Sequence, residues 1–581
     1  MSSIEEVTPL VRKAALLNAV KHGGRAEVGA VIGRVLAERP DLKPIVSELA
    51  RLCARAVKEV NALPLSDQKK TIEENWPELL EEQKETEAKK LPPLPNVEKY
   101  ARVTTRFAPN PDCVLHLGST RAIILCHDYA RMYNGKFVLR LEDTDPHLKR
   151  PKLEFYKAIE QDVLWLGCKW DEEVIQSDRM ELYYEHAEKL LEKGSAYVCT
   201  CERDEFRALA LASRPCPDRN LEASEHLTRW EKMLTGGYAE KEALVRLKTD
   251  LHHPNPAVRD WPALRIVDIE RFPHPRVGSK YRVWPLYNMA CGVDDHMLGI
   301  SHIIRGKEHL TNEVRQRFMY ESLGWSYPET LHYGRLRVIG TELSKSKIMR
   351  LVDEKLVSGF DDPRLATLSA LRRRGIKPEA LRALVMEIGP RPVDASLSWA
   401  NIYALNRKII DGTANRFFFL NDPVRMEIQG VNRTYVSTPP LHPDHPEKGK
   451  RHLEVKASDR KAIVLLSSGD AQAMSEGKLI RLMELFNVRI GSAKTNIVEA
   501  EFVGESYEDA RKVNAPLLQW LPAEGNVDTD LLMTDGEVVR GAAEPALSNV
   551  NVGEVIQLVR IGFGRVDTKS QGRIGIVFAH N

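Results

Sequence analysis

The sequence predicts a multidomain protein with a helical N-terminal domain, a doubly wound α/β domain carrying an insertion, a helical subdomain and a β-rich C-terminal region. Three observations predict it. Apolar residues recur at helical spacing up to about residue 85. From Ala101 short strands alternate with helices, the alternation of a parallel sheet, until a Cys-, Pro- and Arg-rich segment interrupts them. After Phe417 brief β-rich runs are separated by turn residues. A length of 581 residues exceeds a single core and suits about three to five domains of about 100–200 residues each.

Residues 1–85 place Val7, Leu10, Val11, Ala14 and Leu17 on one helical stripe, Val28, Val31, Ile32, Val35 and Leu36 on a second, and Ile45, Leu49, Leu52 and Ala56 on a third. From Leu80 dense charge runs into Pro92, Pro93 and Pro95, which oppose helix and favour extended backbone, so residues 86–100 are expected to form a linker. Residues 101–197 give the first half of the α/β domain: a strand Val103–Phe107, a helix Ser119–Tyr133, a strand Lys136–Leu141 after the turn Asn134-Gly135, and helices Lys152–Leu166 and Met180–Lys193. Residues 198–283 form the insertion. Residues 284–349 resume the alternation with Trp284–Cys291, Ile300–Arg305 and a helix Thr311–Leu323. Residues 350–416 read as helical. Residues 417–581 carry β-rich runs at 433–436, 462–466, 537–539, 555–559 and 574–578, which suit a barrel or a sandwich.

Composition excludes several classes. With 43% hydrophobic residues and mixed charge the chain is expected to be globular. No window approaches the roughly 18 uninterrupted apolar residues of a membrane span, and the first residues lack a basic region followed by an apolar one. A cytoplasmic chain with no membrane partner is the expectation. Eight cysteines, three clustered and the rest scattered, argue against a disulfide framework. A net charge of +2 neither demands nor excludes nucleic acid, because phosphate binding depends on local patches. The densest basic runs, Leu371-Arg372-Arg373-Arg374-Gly375 and Lys448-Gly449-Lys450-Arg451-His452, read as solvated faces or as RNA contacts.

The chemistry starts at Arg106-Phe107-Ala108-Pro109-Asn110-Pro111, followed by His116-Leu117-Gly118-Ser119. A strand ending at Phe107 delivers this loop to the C-terminal edge of a parallel sheet, where open α/β sheets bind ligands. A helix beginning near Gly118-Ser119 directs its free N–H groups at that crevice and can hold phosphate. Gly118 lets a ligand approach the backbone, and His116 can donate to a phosphate oxygen. Thr341-Glu342-Leu343-Ser344-Lys345-Ser346-Lys347 is a compact second element in which Lys345 offers charge to a pyrophosphate. Either segment alone is common in ordinary loops; together, across an interrupted doubly wound sheet, they are specific.

His116-Leu117-Gly118-Ser119 resembles the HIGH motif, and Glu342-Leu343-Ser344-Lys345-Ser346 the KMSKS motif, of class I aminoacyl-tRNA synthetases, whose catalytic domain is Rossmann-like. Ser119 stands where that family has its second His and Glu342 where it has its first Lys. Cys113 stands where relatives usually have Gly; a positive φ there would cost about 1 kcal/mol or more. Arg106 to Pro111, Leu139-Arg140-Leu141-Glu142-Asp143-Thr144-Asp145-Pro146, Trp284 to Ala290, Val293 to Ile300 and Ile304 to His309 are similar to the glutamyl and glutaminyl group. Asp361 to Arg364, Asp422-Pro423-Val424 and Gly562-Phe563 extend the likeness through the helical subdomain and the β-rich end. The helical N-terminus and β-rich C-terminus resemble the archaeal type of glutamyl-tRNA synthetase.

The resemblance implies ATP-dependent ligation of L-glutamate to tRNA, with C-terminal anticodon-binding β-barrels, an acceptor-stem-binding insertion and Mg²⁺ accompanying ATP. It assigns His116, Gly118, Ser119, Lys345 and Ser346 to catalysis, and Pro109, His116, Gly118, Ser344 and Lys345 to ATP. Arg106, Glu142, Tyr287 and Arg305 fall to glutamate. A γ-carboxylate needs a cation, and the guanidinium fork of Arg305 supplies a directional one where glutaminyl enzymes typically carry a small uncharged residue. An ordinary salt bridge from Arg305 to Glu308 or Asp294 is the structural alternative. Asp143 and Asp145 suit helix-start or turn roles equally well.

Cys199, Cys201 and Cys216 can bind Zn²⁺ tetrahedrally with Asp218 or His226 as the fourth ligand, or remain free thiols; some relatives carry zinc here. Two other readings stand beside the main one: a glutaminyl-tRNA synthetase, which Arg305 opposes, and a non-catalytic tRNA-binding factor, which has no need of an ATP clamp. The implied partners are tRNA(Glu) and, as in many archaeal-type relatives, tRNA(Gln). The N-terminal helices can dock a partner protein or touch tRNA.

Overall fold

The computed structural model describes residues 7–21, 24–76, 91–341, 343–493 and 497–581. The chain divides into two units, Met1–Lys90 and Leu91–Asn581. Among the described residues the first holds four α-helices, α1 (Thr8–Lys21), α2 (Val28–Glu38), α3 (Val46–Asn61) and α4 (Leu65–Asn75). Their apolar stripes meet: Val11, Ala15, Val31, Val35, Leu49 and Cys53 are buried together. Gln68, fully buried, donates to the carbonyls of Gly24, Val60 and Leu63 at 2.9–3.0 Å and so ties α4 to the ends of its neighbours.

The second unit begins earlier than the prolines suggest. Of the expected linker, residues 86–90 lie outside the described residues, while Leu91 and Leu94 are buried in the α/β core. Leu94 N donates to the Tyr133 hydroxyl at 2.9 Å, and the Pro95 carbonyl meets His302 Nε2 at 2.8 Å. The prolines do hold the backbone extended, but an extended chain with apolar side chains packs as readily as it links.

The central sheet is built from β1 (Thr104–Phe107), β2 (Lys136–Leu141) and β3 (Glu172–Ile175), all parallel, in the order β1-β2-β3. Helices α5 (Thr120–Met132), α6 (Leu153–Trp165) and α7 (Met180–Glu192) alternate with them. The insertion lays β4 (Ala196–Cys199), β5 (Leu244–Leu247), β6 (Pro262–Ile266) and β7 (Val283–Pro285) into an antiparallel sheet, with helices α8 (Arg203–Leu211) and α9 (Ala223–Thr235) between β4 and β5. The chain then returns as α10 (Tyr287–Met297), β8 (His302–Gly306), α11 (Leu310–Leu323) and β9 (Glu329–Tyr333). Trp284–Cys291 is thus a strand end and a helix start, divided where Pro285 withholds its N–H. Strands β8 and β9 are parallel, and Ser301 N donates to Thr104 O at 3.0 Å, which sets β8 beside β1. The strand order therefore reverses between β1 and β8, and the crevice opens at that switch point.

Residues 350–416 are not wholly helical. Helices α12 (Lys345–Asp353), α13 (Leu368–Arg374), α14 (Pro378–Ile388) and α15 (Trp399–Ile410) are accompanied by a strand Ala395–Leu397, which pairs in parallel with Leu336–Val338. Beyond Asn415 the described strands form one seven-stranded sheet, one eight-stranded sheet and a separate two-stranded ribbon of Tyr435–Ser437 and Leu453–Val455. The outer strands of the first, Asn415–Phe417 and Phe419–Asn421, are consecutive in the chain, so its two edges lie close together.

The basic run at 372–374 is neither a free face nor an open RNA contact. Arg372 sits near Asp162 and over Trp165; Arg373 donates twice to Asp567, at 2.8 and 3.0 Å; Arg374, 2% exposed, donates to Tyr403 Oη and Ala579 O at 2.7 Å. Arg373 and Arg374 thereby staple α13 to the C-terminal sheet. Likewise Arg451 is buried against Glu544 at 2.7 Å, and Lys448 caps the Thr413 carbonyl at 2.7 Å.

Candidate active site

A cavity of about 730 Å³ lies at the carboxyl ends of β1, β2 and β8. It is lined by Pro109, His116, Gly118, Ser119 and Lys345 on one side, and by Arg106, Glu142, Tyr287 and Arg305 on the other. Among the described residues Ser344 and Ser346 do not line it; their hydroxyls meet each other at 3.0 Å. Glu342 lies outside the described residues.

The His116 loop is fixed from outside the sheet. Leu117 N donates to Ala366 O at 2.9 Å and Leu368 N to Leu115 O at 3.0 Å, so the segment leading into α13 holds it like a short strand. His116 Nδ1 accepts from Gly118 N at 3.0 Å. In a neutral ring the proton is then on Nε2. Burial, with the Lys345 charge adding to it, pulls His116 down to about 4, so the ring is neutral near pH 7 and serves as a hydrogen-bond donor rather than a cation. A Cβ on Gly118 would stand 2.8 Å from His116 Cε1 and 2.9 Å from Nδ1. The neighbour that requires glycine is therefore the imidazole as well as any ligand. Cys113 is absent from the positive-φ positions and is buried among Phe155, Ile348 and Leu365, so its side chain carries no backbone cost.

Lys345 opens α12, and its Nζ donates to Asp112 Oδ1 at 2.8 Å and to Asn110 O at 3.3 Å. It thus reaches back to the loop that carries His116.

The opposite wall is a buried charge network. Asp295 takes Arg106 Nε at 3.0 Å and Arg140 Nη1 at 2.7 Å, and these two cations hold its carboxyl well below the usual carboxylate range against the cost of burial. Arg140 also donates to Glu142 Oε1 at 2.9 Å. Arg106, 4% exposed, pairs with Asp295 through Nε and Nη2 and still lines the cavity. Burial raises the Glu142 carboxyl, with Arg140 and Arg106 opposing the rise. Burial also raises the Tyr287 phenol, at the start of α10.

Arg305 differs from the other two cations. It is 5% exposed and donates to Gln316 Oε1 at 3.0 Å and to Tyr327 Oη at 2.9 Å, while its Nε has no partner. Among the described residues no carboxylate lies within 4.0 Å of it; Asp294 is taken by Arg179, and Glu308 by Arg335. Among the described residues Arg106, Arg140 and Arg179 share Asp294, Asp295 and Glu142, and the positive charge left without a carboxylate sits at Arg305, facing the cavity. A buried cation held only by neutral groups invites an anion.

Several wall residues escaped sequence reasoning. Arg140 and Asp295 complete the network, Gln316 and Tyr327 orient Arg305, and His309, pulled down to about 4 by burial and then by Arg305, lines the floor as a neutral ring. A charged residue inside the apolar run Lys136–Leu141 was the available signal for Arg140.

In the insertion, Cys216 Sγ lies 3.5 Å from Cys199 Sγ, 3.1 Å from Cys201 Sγ and 3.9 Å from Asp218 Oδ2. All four ligand atoms fall within 4.8 Å of one another. His226 is buried nearby but outside this group, with Nε2 unpartnered. Asp218 also accepts from Thr200 N at 2.7 Å and from Arg229 at 2.7 Å. The donor set, three sulfurs and a carboxylate, fits zinc.

A family model described as tRNA synthetases class I (E and Q), catalytic domain, matches residues 102–412. Two further models of that group, both described as anti-codon binding domain, match residues 414–504 and 517–567. Fold, cavity and these matches define a class I tRNA synthetase of the glutamate and glutamine group. A glutamate–tRNA ligase from Pyrococcus furiosus is 49% identical over 580 residues, covering 99% of this chain and 100% of the relative. One from Thermococcus kodakarensis is 48% identical over 581 residues, covering 99% and 100%. A solved glutamate tRNA ligase from Elizabethkingia meningosepticum, in complex with its amino acid, superposes on 54% of this chain and 70% of its own at a TM-score of 0.39 and 20% identity. The chain belongs to the archaeal-type glutamyl-tRNA synthetases.

Proposed function

We propose that this chain attaches L-glutamate to the 3′ end of tRNA in two ATP-dependent steps. The glutamate α-carboxylate attacks the α-phosphorus of ATP and pyrophosphate leaves. The terminal ribose hydroxyl of tRNA then attacks the mixed anhydride and AMP leaves. No side-chain nucleophile is needed, because positioning and stabilisation of phosphate charge carry both steps. His116 donates from Nε2 to a phosphate oxygen, Gly118 and Ser119 bound the nucleotide beside Pro109 while their own N–H groups are spent on His116 Nδ1 and His116 O, and Lys345, flanked by Ser344 and Ser346, neutralises the leaving pyrophosphate. Mg²⁺ is held by the phosphates and water.

Arg305 carries the choice of amino acid. A γ-carboxylate supplies the missing anion, whereas a γ-amide leaves the buried charge unmatched. Tyr287 bounds the side-chain pocket, and Glu142 keeps one carboxylate oxygen for the α-ammonium group. Arg106, held by Asp295, faces the glutamate from the same wall.

Other finer assignments belong to the same reading. Residues 198–283 meet the acceptor stem, and Cys199, Cys201, Cys216 and Asp218 hold a structural zinc there. The two C-terminal sheets close as barrels that read the anticodon. The N-terminal helices serve a partner, and the enzyme works in the cytoplasm; among the described residues no helix is long and apolar enough to cross a membrane.

The deciding experiment is charging of separate tRNA(Glu) and tRNA(Gln) transcripts with radiolabelled glutamate or glutamine. Glutamate on tRNA(Glu) supports the proposal, and glutamate on both marks tRNA(Gln) as a second acceptor. Glutamine transfer would assign the chain to the glutaminyl side, and binding without transfer would leave a tRNA-binding factor.

A further inference from the structure

We propose that Asp112 is a positioning residue that keeps the Lys345 ammonium parked at the mouth of the cavity and surrenders it to the β- and γ-phosphate oxygens of the nucleotide. This rests on the assignment of Lys345 to the nucleotide.

Lys345 Nζ has two acceptors, Asp112 Oδ1 at 2.8 Å and Asn110 O at 3.3 Å. Both belong to the loop between β1 and His116, held by Pro109 and Pro111. The two partners are also joined through a shared core: Ile348, one turn along α12, packs with Cys113, the residue after Asp112. Loop and helix are therefore fixed relative to each other, and the Lys345 side chain is the freer part of the bridge. The ion pair is partly open to solvent, with side-chain exposures of 33% for Lys345 and 21% for Asp112. A pair of that kind is weak enough to exchange, and a polyphosphate offers the ammonium more negative charge than one carboxylate does.

The exchange has a consequence for affinity. Nucleotide binding must break the pair and leave the Asp112 carboxylate beside like charge, so Asp112 lowers affinity for ATP while keeping Lys345 near its station. A cationic side chain with no such partner would be free to swing into bulk water between turnovers.

The test is a double-mutant cycle on the full chain. Binding of a non-hydrolysable ATP analogue with Mg²⁺ is measured by calorimetry for the wild type, Asp112→Asn, Lys345→Ala and the double variant. Asp112→Asn should tighten binding about three- to five-fold, and the gain should shrink by about two-fold or more when Lys345 is already absent. Asp112→Glu, which keeps the charge, should restore wild-type binding. An equal gain in both backgrounds would mean that Asp112 acts through its own charge, and weaker binding in Asp112→Asn would mean that it helps to hold the nucleotide; either overturns the proposal. Unchanged binding in Lys345→Ala would instead sink the assignment of Lys345 to the nucleotide.

Discussion

Arg305 donates to the amide oxygen of Gln316 at 3.0 Å, and among the described residues no acid neutralises it. A side chain that folds without a counter-charge depends on the ligand to bring one. Arg305→Gln should lower kcat/KM for glutamate by about 10²-fold or more, as expected for breaking a buried charge pair of about 3–5 kcal/mol. The loss should fall mainly on KM for glutamate, with KM for ATP little changed. Steady-state charging at varied glutamate checks this, and an unaltered glutamate KM would remove Arg305 from the pocket.

Gly118 is held to its size by His116. Gly118→Ala would put a methyl 2.8 Å from the imidazole and force the ring to turn. Because a displacement near 1 Å can cost about 10²-fold in rate, kcat should fall by about 10- to 100-fold while the melting temperature moves little. A variant that charges tRNA at the wild-type rate would show that the ring position is unimportant.

Asp162 gives a pH dependence. It is buried, its Oδ2 has no partner, its nearest cation is Arg372 at 3.9 Å, and burial pushes its carboxyl up to about 7. The unfolded value is about 3.9. Below that pH both states are protonated and the group costs nothing. As pH rises from about 3.9 to about 7 the unfolded state ionises while the folded carboxyl keeps its proton, so stability falls progressively by up to about 4 kcal/mol and stays at that lower level above about 7. Asp162→Asn should therefore raise stability at pH 8 and leave it nearly unchanged at pH 4. Denaturant unfolding at both pH values would decide, and equal effects at the two would refute the assignment.

Truncation separates the two units. Removal of residues 1–90 should leave a folded protein, whereas Leu94→Ala in the full chain should cost about 2–5 kcal/mol, the usual range for a buried leucine. Thermal unfolding of the two variants is the check. A truncated chain that melts like the wild type, beside a Leu94→Ala variant that does not, is the expected pattern.

Metal content tests the insertion. Gently purified protein should carry about one zinc per chain, Cys216→Ser should carry almost none, and chelation should expose the cysteines to a thiol reagent. Zinc near zero in the wild type would leave the four residues as a hydrogen-bonded cluster.

Much of this was legible locally. His116, Gly118 and Lys345 announce themselves within two short segments, and the apolar run Lys136–Leu141 is a strand with those limits. What stayed hidden was pairing at a distance. Arg140 and Asp295 are 155 positions apart, and nothing in either neighbourhood states that they meet. The strand Ala395–Leu397 is too short for a period and exists because Leu336–Val338 offers it an edge. Leu91 and Leu94 sit in a proline-rich stretch whose extended backbone was readable but whose burial was not.

The run Arg372-Arg373-Arg374 shows how an address can matter more than a charge. Its three members point to three destinations: one toward α6, one to an acid of the C-terminal sheet, one into an aromatic nest between α15 and the last strand. Each helical position is turned about 100° from the next. Gaining or losing one residue in this seven-residue helix would keep all three arginines in the composition and misdirect every one of them. Variation in length among related chains should therefore accumulate in the flanking turns and spare this helix.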